Sequence, residues 1–307
     1  MRQVIFCLFI FLLLVLANTT QVSVAQSGRN SGNSTERSAS LNVIIRSKTS
    51  ESPNLTKDNL ALFDGGIEQE IEYFRYDSTG ARIIILADNS QSLRADPAVL
   101  QLITERIIKE LRPEDRLMVI GYSEQAEVLA DFTNNTKALN NASTKFTRSG
   151  LPKLYDALVA SVADGFSKQL GANKRAIILI SDGYDKDSKI KYQDALATLL
   201  NENILIYAFQ APDRSYGAIR PKDTGPKPVD AITNLAESTG GLLFKIGQLE
   251  SFESDLKTLM SELKEGWFTL SYTPKGINLI NSRRLLLTTP NDKLVVRTKK
   301  LHPPQVF

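Results

Sequence analysis

The chain has 307 residues, of which 42% are hydrophobic and 23% are charged, and its formal net charge is +3. This composition is typical of a folded globular protein and excludes a chain that is disordered throughout. The net charge is too small, and the charges too evenly spread, to favour nucleic acid or an anionic membrane as the partner.

The first 25 residues have the order of a secretory signal peptide. Arg2 precedes the apolar run VIFCLFIFLLLVLA, and the segment ends in Ser23-Val24-Ala25. An uncleaved membrane anchor is the alternative, but about 14 apolar residues are short for the roughly 20 that span a bilayer. We therefore predict cleavage after Ala25 and export to a periplasm, the cell surface or the medium, with no membrane association afterwards.

Cleavage would also remove Cys7, the only cysteine of the chain. The mature protein would then contain neither a disulfide nor a cysteine-ligated metal, so its fold must depend on its core. Residues 26–39 are polar and rich in Ser, Asn and Gly, which predicts a flexible leader.

Strand and helix patterns alternate over residues 81–264. Apolar or alternating runs predict strands at Ile83–Ala87, Arg116–Tyr122, Ala126–Phe132, Arg175–Ser181 and Ile204–Phe209. The gap after Tyr122 is too short for a parallel crossover, so the strand that follows it must be antiparallel. Between these runs lie helical patterns, the first of which begins at Asp96-Pro97. The pattern predicts an α/β fold with a doubly wound, mostly parallel sheet between helices.

The flanks of this region are different, because they contain strand patterns without helices. Residues 40–80 include short apolar runs at Leu60–Phe63 and Ile71–Phe74, with a hairpin turn at Asp64-Gly65-Gly66. Residues 265–300 contain three further runs, and we expect Trp267 and Tyr272 in their core. Because chain termini commonly lie close together, the two flanks are predicted to form one small β-sandwich.

Two aspartates follow strands of the predicted parallel sheet. Asp88 begins DNSQS after the first core strand, and Asp182 lies in SDGYD after strand 175–181. Each aspartate alone could be a turn or cap residue. However, the carboxyl ends of parallel strands share one edge, and two carboxylates about 4 Å apart would repel by about 4 kcal/mol at an effective dielectric constant of 20.

That repulsion predicts a cation between the two carboxylates. Ser90 and Ser92 offer hydroxyl groups from the same loop as Asp88. Oxygen donors without histidine or cysteine favour a hard ion such as Mg²⁺.

DNSQS after an apolar strand, with ISDG about ninety residues later, resembles the metal-ion-dependent adhesion site of a von Willebrand factor type A domain. The similarity covers roughly residues 82–263, with further landmarks in DRLMVIGYSEQAEVL, LYDAL and LAESTGG. The flanking segments LTKDNLALFDGGIEQEIEYF and WFTLSYTP resemble the bacterial VWFA-related family of exported proteins. The resemblance implies that Asp88, Ser90, Ser92 and Asp182 contact Mg²⁺, or Mn²⁺ or Ca²⁺ in its place.

One element departs from the family pattern. The family usually reads Gly-Gly-Thr-x-Leu-Tyr-Asp where this chain reads GLPKLYD from Gly150. Pro152 stands at the threonine position and has no hydroxyl group, which puts metal affinity in question. Ser149 or Thr147 would have to supply the missing oxygen.

The segment QAPDRSYGAIRPKDTGPKPVD follows the strand that ends at Phe209, and it emerges beside the two acids. It is longer than most connections between a strand and a helix, and it contains Arg214, Tyr216, Arg220 and Lys222. A long loop at the ligand edge is a candidate specificity element, with Tyr216 and Arg220 as ligand-binding residues beside Ser149. The alternative is a mobile insertion without a role. Asp185 and Asp187 are expected to be solvated.

Three functions follow from this pattern. The first is a binding and adhesion module whose bound cation engages an acidic group of a protein partner. The second is a metal-independent structural or assembly protein, which the departure at Pro152 favours. A metal-assisted hydrolase is the third and least favoured, because no G-x-S-x-G motif is present and the only histidine, His302, lies in a tail that we expect to be solvated. We therefore predict that the protein is not an enzyme.

Overall fold

The computed structural model describes residues 38–49, 55–169, 171, 174–214, 225–247 and 249–304. The predicted signal peptide and nearly all of the predicted leader lie outside these residues, as do Tyr216, Arg220 and Lys222. Among the helices of these described residues, none has both the length and the apolar character that crossing a bilayer requires.

Strands and helices follow one another in the predicted order. The strands are β1 (Ala39–Ser47), β2 (Ala61–Asp64), β3 (Ile67–Gln69), β4 (Tyr73–Tyr76), β5 (Arg82–Asp88), β6 (Arg116–Tyr122), β7 (Ala126–Thr133), β8 (Arg175–Ser181), β9 (Leu205–Gln210), β10 (Leu243–Lys245), β11 (Trp267–Tyr272), β12 (Arg283–Thr288), β13 (Leu294–Thr298) and β14 (Leu301–His302). The helices are α1 (Pro97–Glu110), α2 (Thr136–Ser143), α3 (Leu154–Ala160), α4 (Tyr192–Asn201), α5 (Pro228–Thr239) and α6 (Leu249–Glu265). Short helical turns lie at Lys57–Asn59, Ser161–Gly165 and Phe166–Lys168.

A six-stranded sheet forms the centre of the fold, in the order β10-β9-β8-β5-β6-β7. The contacts from β10 to β6 are parallel, and only β7 runs antiparallel to its neighbour β6. Apolar clusters cover both faces: Ile83 and Ile85 point into one, and Ile84 and Leu86 into the other. The predicted doubly wound α/β sheet, including the antiparallel strand, is therefore confirmed. The continuous apolar run of β5 predicted it correctly because a strand buried on both faces needs apolar side chains at successive positions.

Helix α1 begins as its sequence predicts. Asp96 adopts an extended conformation and its side chain accepts a hydrogen bond from the backbone N–H of Ala98 at 2.8 Å, while Pro97 occupies the first helical position. Leu100, Ile103 and Ile107 are buried on one face. The helix therefore covers the sheet beside β5 and positions the loop that follows this strand.

The two flanks pair with each other in two antiparallel sheets, of orders β13-β1-β11-β4 and β14-β12-β2-β3. The turn between β2 and β3 consists of Gly65 and Gly66, both at positive φ, as a tight hairpin requires. Apolar side chains of both sheets form one cluster that includes Leu41, Leu270 and Leu285. The predicted β-sandwich built from both flanks is confirmed, although β2 and β4 begin one and two residues later than the predicted runs.

Two aromatic residues of β11 point to opposite faces of their sheet. Tyr272 lies in the sandwich core, as expected, and its hydroxyl group donates to Asp64 at 2.7 Å. Trp267 packs instead in the apolar cluster that the sandwich shares with the six-stranded sheet. The expectation for Trp267 was therefore wrong. Strand β11 lies between the sandwich core and the core of the six-stranded sheet, and its successive side chains point alternately into one and the other.

His302 is buried rather than solvated, so the expectation of an exposed tail was wrong. It lies in β14, which pairs with β12, and only 8% of its surface is exposed. Burial, together with the charges of Lys299 and Arg283, lowers the pKa of His302 to about 3. The imidazole is thus neutral in the folded protein at neutral pH.

This burial predicts a loss of stability in mild acid. The folded pKa lies below the unfolded value of about 6.5, so between these values the unfolded chain binds more protons and stability falls as the pH falls. From pH 7 to pH 5 the wild type should lose about 2 kcal/mol more than His302→Gln, whose side chain does not titrate. Urea unfolding of both proteins at both pH values measures this difference; parallel losses would contradict it.

Candidate functional site

The candidate site lies where strand order reverses in the six-stranded sheet. The chain leaves β5 for β6 on one side, whereas β8 flanks β5 on the other. Asp88 ends β5, and Asp182 directly follows β8, so both carboxylates meet at the carboxyl edge between adjacent strands. Ligands of doubly wound folds bind in the crevice at such a point.

The loop after β5 is shaped by its own hydrogen bonds. The Asp88 carboxylate accepts the backbone N–H of Ser90 at 2.9 Å and also the Ser90 hydroxyl group. Two further backbone bonds tie the loop to its neighbours, from Asn89 N to Tyr122 O at 2.7 Å and from Gln91 N to Gly150 O at 3.1 Å. This turn places the serine at position 90 in the buried crevice and the serine at position 92 at its exposed rim.

The loop after β8 is shaped in a similar way. The Ser181 hydroxyl oxygen accepts the backbone N–H of Gly183 at 3.0 Å, and the Asp182 carboxylate accepts that of Tyr184 at 3.0 Å. Gly183 has φ +81°, and a Cβ atom there would lie 2.1 Å from the carbonyl oxygen of Pro228. The glycine therefore lets this loop pass close to the start of α5 and directs Asp182 at the crevice.

A guanidinium group fills the space between the two carboxylates. Arg214 Nε donates to Asp182 at 2.6 Å, Nη2 donates to Asp182 at 3.0 Å and to Asp88, and Nη1 donates to Ser90 and Ser92 at 2.7 Å each. These five bonds use all five N–H donors of the guanidinium. All four side chains predicted as metal contacts are therefore brought together, and they surround a cation that belongs to the chain itself.

The electrostatics of the crevice agree with a charged guanidinium. The side chains of Asp88 and Asp182 are 0% exposed and that of Arg214 is 5% exposed. Burial opposes the charge of the arginine, but its hydrogen bond to Asp182 and the charge of Asp88 outweigh burial and raise its pKa. Burial also disfavours the charged form of Asp88 and thereby raises its pKa, although the charge of Arg214 acts against this shift.

The backbone around Arg214 also makes hydrogen bonds of its own. Its own N–H donates to Asp182 at 3.1 Å, and the preceding Asp213 offers its carbonyl oxygen to Arg94 Nη1 at 3.2 Å. The guanidinium also lies over the Tyr184 ring, 5.5 Å from its centre. The arginine is thus attached to the crevice through both its side chain and its backbone N–H.

The third loop of the crevice contains the departure from the family pattern. Ser149 is exposed, and its backbone N–H donates to Asn89 O at 3.0 Å. Pro152 is buried, and its carbonyl oxygen accepts the N–H of Lys186 at 2.7 Å. Ser149 therefore lies next to the loop after β5, while Thr147 is exposed. The predicted ligand-binding residues Tyr216 and Arg220 lie outside the described residues.

Asp185 is only partly exposed to solvent, contrary to the expectation that it is solvated. Its carboxylate accepts the backbone N–H of Tyr155 at 3.2 Å and the hydroxyl group of Ser188 at 2.6 Å, and burial raises its pKa. It therefore caps the start of α3. Asp187 is exposed as expected, with 73% of its side chain accessible.

The sequence model of the von Willebrand factor type A domain matches residues 83–185, a range that contains both Asp88 and Asp182. The chain contains a von Willebrand factor type A domain. The comparison with curated proteins found no match to this sequence.

Three solved structures superpose on this chain at low sequence identity. A von Willebrand factor type A protein from Catenulispora acidiphila superposes with a TM-score of 0.50 at 11% identity, covering 88% of this chain and 74% of the other. An aerotolerance-related membrane protein from Bacteroides fragilis gives 0.46 at 15% identity, covering 60% and 98%. The conserved hypothetical protein BatB from Bacteroides thetaiotaomicron gives 0.45 at 17% identity, covering 60% and 97%.

The side chains that converge in this type A domain are of the kind that binds a hard cation, but Arg214 occupies the position that the cation would take. Two carboxylates and two hydroxyl groups converge, and all are oxygen donors. In the described part of the chain, no group of three or more acidic, histidine or cysteine side chains is arranged so that it could hold a metal ion. Because Arg214 already donates a hydrogen bond to each of these four side chains, a metal ion and the seated guanidinium cannot share the site.

Sequence reasoning predicted a cation between the aspartates but did not find Arg214 as that cation. The arginine was visible only as one of several basic residues in the loop after β9. Its position at the beginning of this loop, where β9 delivers the chain to the same edge, is the signal that would have distinguished it. Arg214 lies 126 residues from Asp88 along the chain, so no local pattern links the two.

Proposed function

We propose that the protein is an exported, non-enzymatic protein-binding module. In this proposal Asp88, Ser90, Ser92 and Asp182 hold a divalent cation, Mg²⁺ or the similar Mn²⁺ or Ca²⁺. The cation supplies an open coordination position, which an acidic group of the partner fills. The contact surface is the carboxyl edge of the sheet around this site.

The convergence of four oxygen-bearing side chains on one cation carries the proposal. They come from two loops that follow adjacent parallel strands, and the two carboxylates are fully buried. Two buried carboxylates side by side repel each other unless a positive charge lies between them. The site is therefore built for a cation, whichever cation occupies it.

The rim of the crevice supports contact with a partner. Gln91, Ser92 and Ser149 are exposed around the site, and Leu151 is 45% exposed beside them. Polar groups around one exposed apolar side chain are a usual composition for the edge of a protein interface. An acidic side chain of the partner would approach the cation across this rim.

Metal binding should stabilise the folded protein and should depend on Asp88. We expect Mn²⁺ to raise the free energy of unfolding of the wild type by about 1.4 kcal/mol at ten times its dissociation constant, since only the folded state binds it. Asp88→Asn should abolish this gain because it removes a ligand charge. Thermal unfolding in stepwise increased Mn²⁺ measures the effect.

Asp96→Asn is the matched control, because Asp96 is an exposed aspartate nearby whose helix-capping role asparagine preserves. It should gain as much stability in Mn²⁺ as the wild type. Equal gains in Asp88→Asn and the wild type would show binding elsewhere and contradict the proposal.

A metal-independent assembly protein is the second candidate. The five hydrogen bonds of Arg214 favour it, since they already satisfy the charge of the crevice. Pro152 at the threonine position also favours it. A wild-type stability that does not respond to Mn²⁺ would support this candidate over the first.

A further inference from the structure

We infer that Arg214 is a built-in competitor for the metal: its guanidinium occupies the cation position, and a divalent cation binds only when this side chain withdraws. The inference rests on the proposed function, because it concerns the same ligands. It adds two features to that function. The first is a closed state of the site, in which Arg214 takes the place of the metal, and the second is that Arg214, a residue outside the motif, determines metal affinity.

Hydrogen bonding makes the two occupants mutually exclusive. The guanidinium contacts both carboxylates and both hydroxyl oxygens that a metal ion would use. Each of its five N–H groups has a partner among them, so none is left to bind an acidic group from outside. While Arg214 is seated, the crevice offers a partner neither a metal nor a free donor.

Charge works in the same direction. A divalent ion placed beside the seated guanidinium would meet a like charge in a buried site, where solvent screens poorly. Without the guanidinium, the two fully buried carboxylates of Asp88 and Asp182 would be left uncompensated. One cation must therefore be present, and each candidate excludes the other.

Withdrawal of the Arg214 side chain need not break the pairing of β9. Two bonds near the arginine lie outside its guanidinium: its own N–H donates to Asp182, and the exposed Arg94 donates to Asp213 O. A backbone bond from Ala211 N to Ser181 O at 2.9 Å ties the start of this loop to the sheet edge. The side chain can thus leave while β9 stays in place.

Removal of the guanidinium should increase metal affinity. If Arg214 is seated in about 99% of the molecules, only about 1% can bind metal, and the apparent affinity for the metal falls about 100-fold. Arg214→Ala should therefore bind Mn²⁺ about 100-fold more tightly than the wild type. Isothermal titration of Mn²⁺ into metal-free protein measures both affinities. Arg106→Ala, which removes an exposed arginine on α1, is the control for net charge and should bind as the wild type does.

Two further measurements keep the test decisive where Arg214→Ala folds poorly. Arg214→Lys keeps the charge but offers three donors at one point instead of a five-donor fork, so its affinity should lie between those of the other two proteins. Millimolar guanidinium chloride should weaken Mn²⁺ binding to Arg214→Ala by refilling the vacated position, whereas equal sodium chloride should not.

The outcomes separate this inference from the proposed function. Equal Mn²⁺ affinity in the wild type and in both Arg214 variants would overturn competition and leave the metal site standing. Absence of Mn²⁺ binding in both folded Arg214 variants would overturn the metal-dependent function, and competition with it.

Discussion

Replacement of Arg214 by alanine should destabilise the metal-free protein by about 3–5 kcal/mol, because it leaves the buried carboxylates of Asp88 and Asp182 without their cation. Asp182→Ala should destabilise the protein by a similar amount, since it leaves the buried guanidinium without one of its two carboxylate partners. The double variant should cost less than the sum of the two, with a coupling energy of up to about 3 kcal/mol. Unfolding in urea with a chelator present measures all three; guanidinium salts must be avoided because they mimic the missing side chain.

An exposed ion pair provides the comparison. Lys300 Nζ lies 2.7 Å from Glu237 Oε2, and the two side chains are 58% and 51% exposed. The same double-mutant cycle on this pair should give a coupling of about 0–1 kcal/mol. Costs at Arg214 and Asp182 that add to within about 0.5 kcal/mol would show that the guanidinium does not sit between the aspartates in solution.

Gly183→Ala should cost about 3 kcal/mol or more. The residue has φ +81°, and its new Cβ atom would lie 2.1 Å from the Pro228 carbonyl oxygen, so the loop after β8 would have to move away from α5. This movement would carry Asp182 away from the crevice. Urea unfolding measures the cost, and the coupling between Asp182 and Arg214 should shrink in the same background.

Gly66→Ala separates the two contributions to that cost. Gly66 has almost the same backbone angle, φ +85°, but a Cβ atom there would have nothing within 4 Å. It should therefore cost only the backbone strain of about 1 kcal/mol. Equal costs at the two glycines would mean that the approach of the loop to Pro228 is looser than the structure has it.

The competition at Arg214 also connects the two candidate functions. With the arginine seated, the crevice is a satisfied ion pair network that behaves as a structural element of the sheet edge. With a metal in its place, the same four side chains would form the proposed adhesion-type site. The balance between the two cations, rather than the motif alone, would then decide whether the protein binds an acidic partner.

Most of the fold was predictable because the deciding signals are local. Continuous apolar runs such as that of β5 indicate strands covered on both faces. The short gap after β6 permits only the antiparallel β7, and Asp96 with Pro97 starts α1. Strand ends in the sandwich were less well predicted, since β2 and β4 begin later than the apolar runs that suggested them.

Residues whose environment is made by distant segments were predicted poorly. His302 is polar and near the end of the chain, yet it is buried because β14 pairs with β12. Asp185 caps α3 because the loop after β8 lies against the start of that helix. In both cases a contact between segments far apart in the chain, and not the residue type, determines exposure.

The six-stranded sheet, the flanking strands and a pair of carboxylates that need a cation were all predictable, because strand order and the shared carboxyl edge follow from local periodicity and connection length. The group that lies between those carboxylates was not predictable, because contacts between distant segments place it there. The reason is physical: any positive charge can meet their electrostatic demand, and which one does depends on where β9 delivers Arg214 in three dimensions.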